Sequence, residues 1–330
     1  MDGQAAPFFV VGNDRSGTTV LRLVLDRSAE AAVPPESMFL LDFASVRHRG
    51  GLEDAEKAAR FLAEVWTHPR VRLWGLHSEP PPVPSGLSHA DAYRFVVEAP
   101  FRAYARREGK ERFGDKTPAY LHAVDELLGI WPDARIVVLV RDARAVALSI
   151  QKLPFGPNNP YAAAGWWARG IREGLEAEGR HPEQVLTVRY EDLVSDPEAT
   201  VRRVCDHVRL GYNSGMLAIE RAGPEKIVAE QARWYSGVSR PISAEASARW
   251  RREMPEADRR VVVAVAGPEL RALGYDAAEG RAAVSRPRAL VYTAHDAALR
   301  AANAFRLRIL RERGRELRYV LRRKLAGARG

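Results

Sequence analysis

Cysteine is almost missing from this sequence: Cys205 stands alone in 330 residues. One thiol cannot build a disulfide framework, and it sits in no metal-ligand spacing, which excludes disulfide scaffolds and cysteine-based zinc modules. It reads as a small buried apolar residue. Long apolar runs are missing as well, since no stretch reaches the roughly 20 residues that a membrane-spanning helix needs. At the N-terminus no basic segment leads into an apolar one, and a strand pattern begins almost at once, so no signal peptide is expected. Together these absences point to a reducing cytoplasm. No internal repeat is visible.

Charge of one sign is scarce outside a single segment. The net charge is +9 at pH 7, yet residues 286–330 alone hold 12 Arg and one Lys against Asp296, Glu312 and Glu316. The other 285 residues are therefore close to neutral. That pattern describes a globular part with a basic tail, not a basic domain. With 46% hydrophobic and 28% charged residues the composition is that of an ordinary globular protein. The length suffices for one large α/β domain or two smaller ones.

What is present is a strand–helix alternation. Three apolar runs, FFVVG (8–12), RIVVLV (135–140) and VLTVRY (185–190), lack the alternation of half-exposed strands and each leads into a helical pattern. The expected fold is α/β, a P-loop-like doubly wound parallel sheet flanked by helices, with a basic helical C-terminal extension. The expected division is a domain over 1–280, with a helical insert at about 38–110, and an extension over 281–330. Within the insert, EPPPVPSG (79–86) reads as a surface loop or a rim over a site. Ligands of such sheets bind beyond the carboxyl ends of the strands, so the residues just after them are the candidates.

The first of these turns is VVGNDRSGTTVLRLVLD (10–26), with the glycine frame Gly12-x4-Gly17 of a phosphate-binding loop. A strand running through such a turn into a helix N-terminus aims backbone N–H groups and the helix dipole at one spot. The backbone of Asp14, Ser16 and Gly17, the hydroxyls of Thr18 and Thr19, and the guanidinium of Arg15 suit a phosphate there. Thr18 stands where a nucleotide triphosphatase carries lysine. The nearest carboxylate to a magnesium holder is Asp142 in LVRD, although it could instead pair with Arg144.

These residues carry a resemblance. GNDRSGTTVL is similar to the 5′-phosphosulfate loop of sulfotransferases that use 3′-phosphoadenylyl sulfate (PAPS), in the bacterial-type branch that includes protein-tyrosine sulfotransferases. That donor has no γ-phosphate, which accounts for the missing lysine, and no metal is expected. The resemblance implies further roles. RIVVLVRDARAVALS (135–149) resembles the 3′-phosphate segment, with Arg141 and Ser149 as ligands. VRYEDLVSDP (188–197) brings Tyr190 near the adenine, and SGVSRPISAEASARWR (236–251) brings Arg240 to a phosphate with Trp250 as packing support. RFGDKTP (112–118) implies that Lys116 contacts the transferring sulfuryl group, and VPPES (33–37) that Glu36 is the general base. On their own, Lys116 reads as a solvated lysine before a Thr-Pro turn and Glu36 as a favourable acid at a helix start. His68, His77, His89 and His122 read as surface residues. The catalytic serine of the tyrosine-modifying branch has no counterpart, because RWYSG stands at its place.

The reaction thus expected is sulfuryl transfer to a hydroxyl on a small molecule, glycan or lipid, with PAPS as co-substrate. Two alternatives remain open at the level of sequence: a P-loop small-molecule kinase, and a nucleic-acid or membrane-surface binding protein built on the tail, of which nucleic acid is not expected. Written as a helix, residues 305–325 align Leu307, Leu310, Leu317, Val320 and Leu321 opposite a row of arginines, which suits docking on the same chain, self-association or an anionic membrane. A cytoplasmic, membrane-peripheral protein fits the last of these.

Overall fold

The computed structural model describes residues 6–153, 156–219, 245–278 and 283–312. The run FFVV is buried at every position and forms β1 (Phe8–Val11). The strand stops where Gly12 takes φ 150°, and its chain then turns into α1 (Thr18–Asp26). A two-residue strand β2 (Ala31–Ala32) comes after it. The insert then supplies α2 (Phe39–Arg47), α3 (Ala55–Trp66), α4 (Pro69–Arg72) and α5 (His89–Arg107). Next come β3 (Arg112–Lys116), a 3₁₀ turn (Pro118–Ala123), α6 (Val124–Ile130), β4 (Arg135–Val140) and α7 (Ala143–Ile150). The chain continues through α8 (Pro160–Arg180), β5 (Val185–Arg189), α9 (Tyr190–Ser195) and α10 (Pro197–Val208). The later described helices are α11 (Glu245–Ala248), α12 (Trp250–Glu253), α13 (Glu256–Ala272) and α14 (Arg286–Glu312).

All strand pairs are parallel, in the order β2-β3-β1-β4-β5. From the middle strand β1 the chain crosses to the edge strand β2, comes back to β3 beside β1, and then crosses to build β4 and β5 on the other side. The doubly wound α/β sheet expected from the sequence is therefore present, and its switch point lies at the carboxyl end of β1. The three strands read from apolar runs are all in place. β2 and β3 were not expected, the latter because Gly114, Asp115 and Lys116 do not look like a buried strand, yet all five β3 residues are buried.

Two compact units divide the described residues: one drawn from Met1–Arg141 and Gly170–Ala248, the other from Asp142–Arg169 and Arg249–Gly330. In the first, one core cluster joins Phe8, Val10, Leu21, Val137, Leu139 and Val188, and Cys205 lies fully inside it. Burial pushes the Cys205 thiol up to about 11, so it is an inert core residue as expected. The insert has its own aromatic packing, with Phe43 edge-on to Phe61 at 5.3 Å, and is tied to β3 where Phe101 stacks on Phe113 at 4.9 Å. Its proline-rich segment 79–86 is an irregular surface loop. One expectation fails here: His68 is not a surface residue. Only 4% exposed, it packs its ring against Phe39 and Phe43 and joins Asp42 Oδ2 through Nε2 at 3.0 Å, because the aromatic cluster closes over it. His89 is also partly buried, bonded to the Arg47 carbonyl at 2.8 Å.

Within the second unit, Arg144 forms a two-point contact with Asp142, at 2.9 and 2.7 Å, and stacks over the Trp250 ring at 3.9 Å. Trp250 is buried in this contact. Asp296 on α14 accepts from the Asn158 backbone N–H at 2.7 Å, and Tyr292 stacks on Tyr161 at 5.7 Å. Leu290 and Val291 on the same helix are exposed. The side-chain stripe over 305–325 lies outside the described side chains. No described helix is long and apolar enough to cross a membrane.

Candidate active site

The site is assembled from the segments at the carboxyl ends of β1, β2, β3, β4 and β5. After β1, two glycines are dictated by space as well as by φ. A Cβ on Gly12 would meet the Leu139 carbonyl oxygen at 2.3 Å, and one on Gly17, at φ 94°, would meet the Tyr190 ring at 2.3 Å. The turn between them puts Arg15 at φ 71° and closes with Ser16 N–H donating to the Asn13 carbonyl at 3.2 Å. Gly17 is the N-cap of α1 and offers no side chain to its first turn. The N–H groups of Thr18 and Thr19 therefore have no intrahelical partner. The Ser16 hydroxyl and the Asn13 amide oxygen are buried with no hydrogen-bond partner among the described residues. A cradle closed to any Cβ, an orphaned buried hydroxyl and a helix N-terminus together fit a phosphate group.

Arg141 comes immediately after β4. Its Nη1 donates to the Arg15 carbonyl at 3.2 Å, and its guanidinium lies over the Tyr190 ring at 4.6 Å. Tyr190, the first residue after β5, is therefore wedged between the loop glycine and Arg141. Burial, the larger influence, raises the Tyr190 phenol against the opposing effect of Arg141. Three strand ends that lie far apart in sequence thus share one contact set. Ser149 is a partly exposed residue of α7, in the second unit. Arg240 lies outside the described residues.

On the other side of β1, β3 ends in Lys116, whose side chain is only 2% exposed. The backbone draws it in: Gly12 N–H donates to the Pro118 carbonyl at 3.3 Å. The Lys116 Nζ reaches Glu36 Oε1 at 2.5 Å and Thr19 Oγ1 at 3.2 Å, spanning from the phosphate loop to the loop after β2. A buried ammonium needs such compensation, since an unpaired one would be strongly disfavoured. Lys116 is therefore not the solvated lysine its local sequence resembles. Glu36 is also not in a helix's first turn: it lies in an irregular loop, residues 33–38, and α2 starts only at Phe39.

Electrostatically the site is a closely coupled set. The Asp14 carboxyl is pushed up to about 6, first by desolvation and then by Glu36, against the opposing pull of Lys116, Arg15 and His122. Asp115, fully buried beside Lys116 in β3, is pushed up to about 7, again first by desolvation. Sequence reasoning missed Asp115 together with Ser37, Thr117 and Tyr120, whose hydroxyls meet behind Glu36. Some 80 residues separate Ser37 from its partners, so no local pattern signals the group. Asp142 is paired with Arg144, the alternative that its sequence context left open. Among the described residues no group of three or more His, Cys, Asp or Glu is placed to hold one.

Comparison with known proteins shows the family and the fold. The nodulation protein NoeE of Sinorhizobium fredii is 27% identical over 62% of this chain, which spans half of that protein's length. Protein-tyrosine sulfotransferase 1 of Danio rerio is 24% identical over 86% of this chain and 76% of its own. Among solved structures, the sulfotransferase domain of the Synechococcus PCC 7002 olefin synthase superposes with a TM-score of 0.54, at 22% identity over 84% of this chain and 98% of that one, a likeness of fold. The family model described as "Sulfotransferase family" matches residues 7–214, from β1 to just past α10: the chain belongs to the sulfotransferase family.

Proposed function

We propose that this protein moves a sulfuryl group from PAPS to a hydroxyl-bearing acceptor, giving a sulfate ester and adenosine 3′,5′-bisphosphate. The observation that carries the reading is the Lys116 ammonium held between Thr19, at the phosphate loop, and Glu36, at 3.2 and 2.5 Å. A cation that joins an anion cradle to a carboxylate is what an in-line transfer of a charged group needs. In this reading the backbone of residues 14–18, with Thr18 and Thr19, holds the 5′-phosphate, and Arg141 holds the 3′-phosphate. Arg15 and Lys116 offset the charge on the sulfonate and on the oxygen that bridges it to the leaving nucleotide. Glu36 accepts the acceptor's hydroxyl proton as the new S–O bond forms and the bridging S–O bond breaks. Arg15 and Lys116 supply the positive charge that a kinase takes from magnesium, so the proposal needs no metal. The pairing of Asp142 with Arg144 supports the same choice over a kinase.

The acceptor class is a hydroxyl on a small molecule, glycan or lipid. The names of the relatives add tyrosine peptides to the candidates worth screening. Calorimetry tests the donor: adenosine 3′,5′-bisphosphate binds without Mg²⁺ and ATP binds weakly with or without it. Tight Mg²⁺-dependent ATP binding with no response to the bisphosphate would overturn the proposal.

A further inference from the structure

The loop that bears Glu36 is pinned from three directions. Val33 N–H donates to Asp26 Oδ1 at 2.8 Å, at the end of α1. The Trp74 indole N–H donates to the Pro35 carbonyl at 2.9 Å, from the aromatic packing of the insert. Ser37 N–H donates to Thr117 Oγ1 at 3.1 Å, just past the end of β3. Val33, Pro35 and Ser37 are buried, while Glu36 and Met38 between and after them are partly exposed. The loop thus presents Glu36 outward from a fixed base.

The third pin leads into a chain of hydroxyls. Ser37 Oγ lies 2.7 Å from the Tyr120 hydroxyl and 3.3 Å from Thr117 Oγ1. The Tyr120 hydroxyl accepts from the Leu40 N–H at 3.1 Å, so its own proton is available to Ser37. Thr117 Oγ1 accepts from the Ser37 N–H, so its proton is available in turn. Neither oxygen of the fully buried Asp115 completes a well-formed hydrogen bond, and the Thr117 and Ser37 hydroxyls are the donors that face it. Counting protons, the Tyr120 hydroxyl feeds Ser37, and the Ser37 and Thr117 hydroxyls are the two that face the Asp115 carboxyl. The bonds that Ser37, Thr117 and Tyr120 make to one another and to backbone fix the geometry of this buried group.

We propose that Tyr120, Ser37 and Thr117, packed beside the buried Asp115, form a positioning chain that holds Glu36 against Lys116 in the geometry needed for proton removal. These are positioning residues, because their hydroxyls bond to one another and to backbone, not to the phosphate loop or the Glu36 carboxylate. The inference rests on the reading of Glu36 as the base.

The test uses the full chain and two readouts. The first is hydrolysis of PAPS, with water as the acceptor hydroxyl, monitored by release of adenosine 3′,5′-bisphosphate across pH 5–9. The second is the titration of the Glu36 carboxyl by ¹³C NMR, assigned by the signal lost in Glu36→Gln. Tyr120→Phe keeps the buried ring and removes the hydroxyl. It is expected to lower kcat by about ten- to hundredfold, the scale of a misplaced catalytic group. It should also shift the Glu36 titration and the matching limb of the pH profile, while calorimetric affinity for the bisphosphate stays within about twofold and the Glu36→Gln background shows no added loss. Asp115→Asn should repeat the pattern, and Ser37→Thr, which keeps the hydroxyl, should retain more activity than Ser37→Ala. If Tyr120→Phe does not fold, Ser37→Ala takes its place. An unmoved Glu36 titration, or a loss equally large in the Glu36→Gln background, would overturn the proposal. Near-normal turnover by Glu36→Gln itself would remove the base reading as well, so the two failures are distinguishable.

Discussion

Two loops meet at Lys116, and they are built on opposite plans. The loop after β1 makes its surface from backbone: its shape depends on Gly12 and Gly17, and a Cβ at either would strike a neighbour at 2.3 Å. The loop after β2 makes its surface from one side chain, Glu36, and is fixed by hydrogen bonds to α1, Trp74 and Thr117. An anion cradle can be local because a few consecutive N–H groups and a helix end supply all it needs. A base cannot, because its value lies in where one carboxylate points, and neighbours from elsewhere in the chain must set that. In the proposed reaction the first loop governs binding and the second governs chemistry.

The sharpest way to break that division is Glu36→Gln. The amide keeps the shape of the side chain but cannot take a proton, and kcat is expected to fall by roughly 10²–10⁴. Calorimetric binding of adenosine 3′,5′-bisphosphate should stay unchanged, as Glu36 lies outside the cradle. A parallel loss of binding would merge the two loops into one functional unit.

Asp14 sharpens the comparison through pH. Its folded-state pKa, about 6, lies above the ordinary 3.8, so between these values the native state keeps a proton that the unfolded chain has released. Its contribution to stability is thus complete below about pH 4 and is lost as the pH rises through about 6. Against wild type, Asp14→Asn should gain stability from pH 4 to 7.5, by about 3 kcal/mol at most. Thermal melts of the two proteins check this. A constant gap across that range would mean that Asp14 does not titrate in the fold. The same charge opposes an anion in the neighbouring cradle, so the variant should also bind the bisphosphate more tightly at pH 7.5.

Arg141→Ala attacks the cradle from its far wall. Loss of a charge-assisted contact costs about 1.5–3 kcal/mol, or roughly ten- to hundredfold in affinity for adenosine 3′,5′-bisphosphate. Adenosine 5′-phosphosulfate, which lacks the 3′-phosphate, should lose little. Equal losses would mean that Arg141 acts only through the Arg15 carbonyl and the Tyr190 ring, by shaping the loop.

The same contrast explains what could be read in advance. The phosphate loop was legible from its own residues; Arg141 and Tyr190 stood out as candidates because they come directly after apolar strands, took their roles from the family pattern, and are brought together by the strand order. Lys116 and Glu36 were legible only as matches to a family pattern. Their local sequence pointed to a solvated lysine and a helix start, whereas β3 buries the first and a pinned loop carries the second. Ser37, Thr117 and Tyr120 were invisible, since hydroxyl residues are common and nothing local says that residues some 80 apart will touch. His68 was misread for a related reason: its burial is decided by Phe39 and Phe43, in another helix.

The smallest expected effect tests the second loop's stiffness. Met38 closes it at φ 56°, with Phe39 N–H bonded across it to the Ser37 carbonyl at 2.6 Å. A non-glycine residue in the left-handed region costs roughly 1–2 kcal/mol, which glycine does not pay. Met38→Gly and Met38→Ala both delete the side chain, so their difference isolates the backbone. At an ordinary position alanine is the more stable of the two by about 0.5–1 kcal/mol. Here the order should reverse, with Met38→Gly melting above Met38→Ala by the equivalent of about 1 kcal/mol. Glycine at 38 also frees the chain next to Glu36, so the more stable variant should be the slower enzyme, with bisphosphate binding equal in both. If alanine proves the more stable, the turn at Met38 carries no strain, and the three hydrogen-bond pins alone hold the loop.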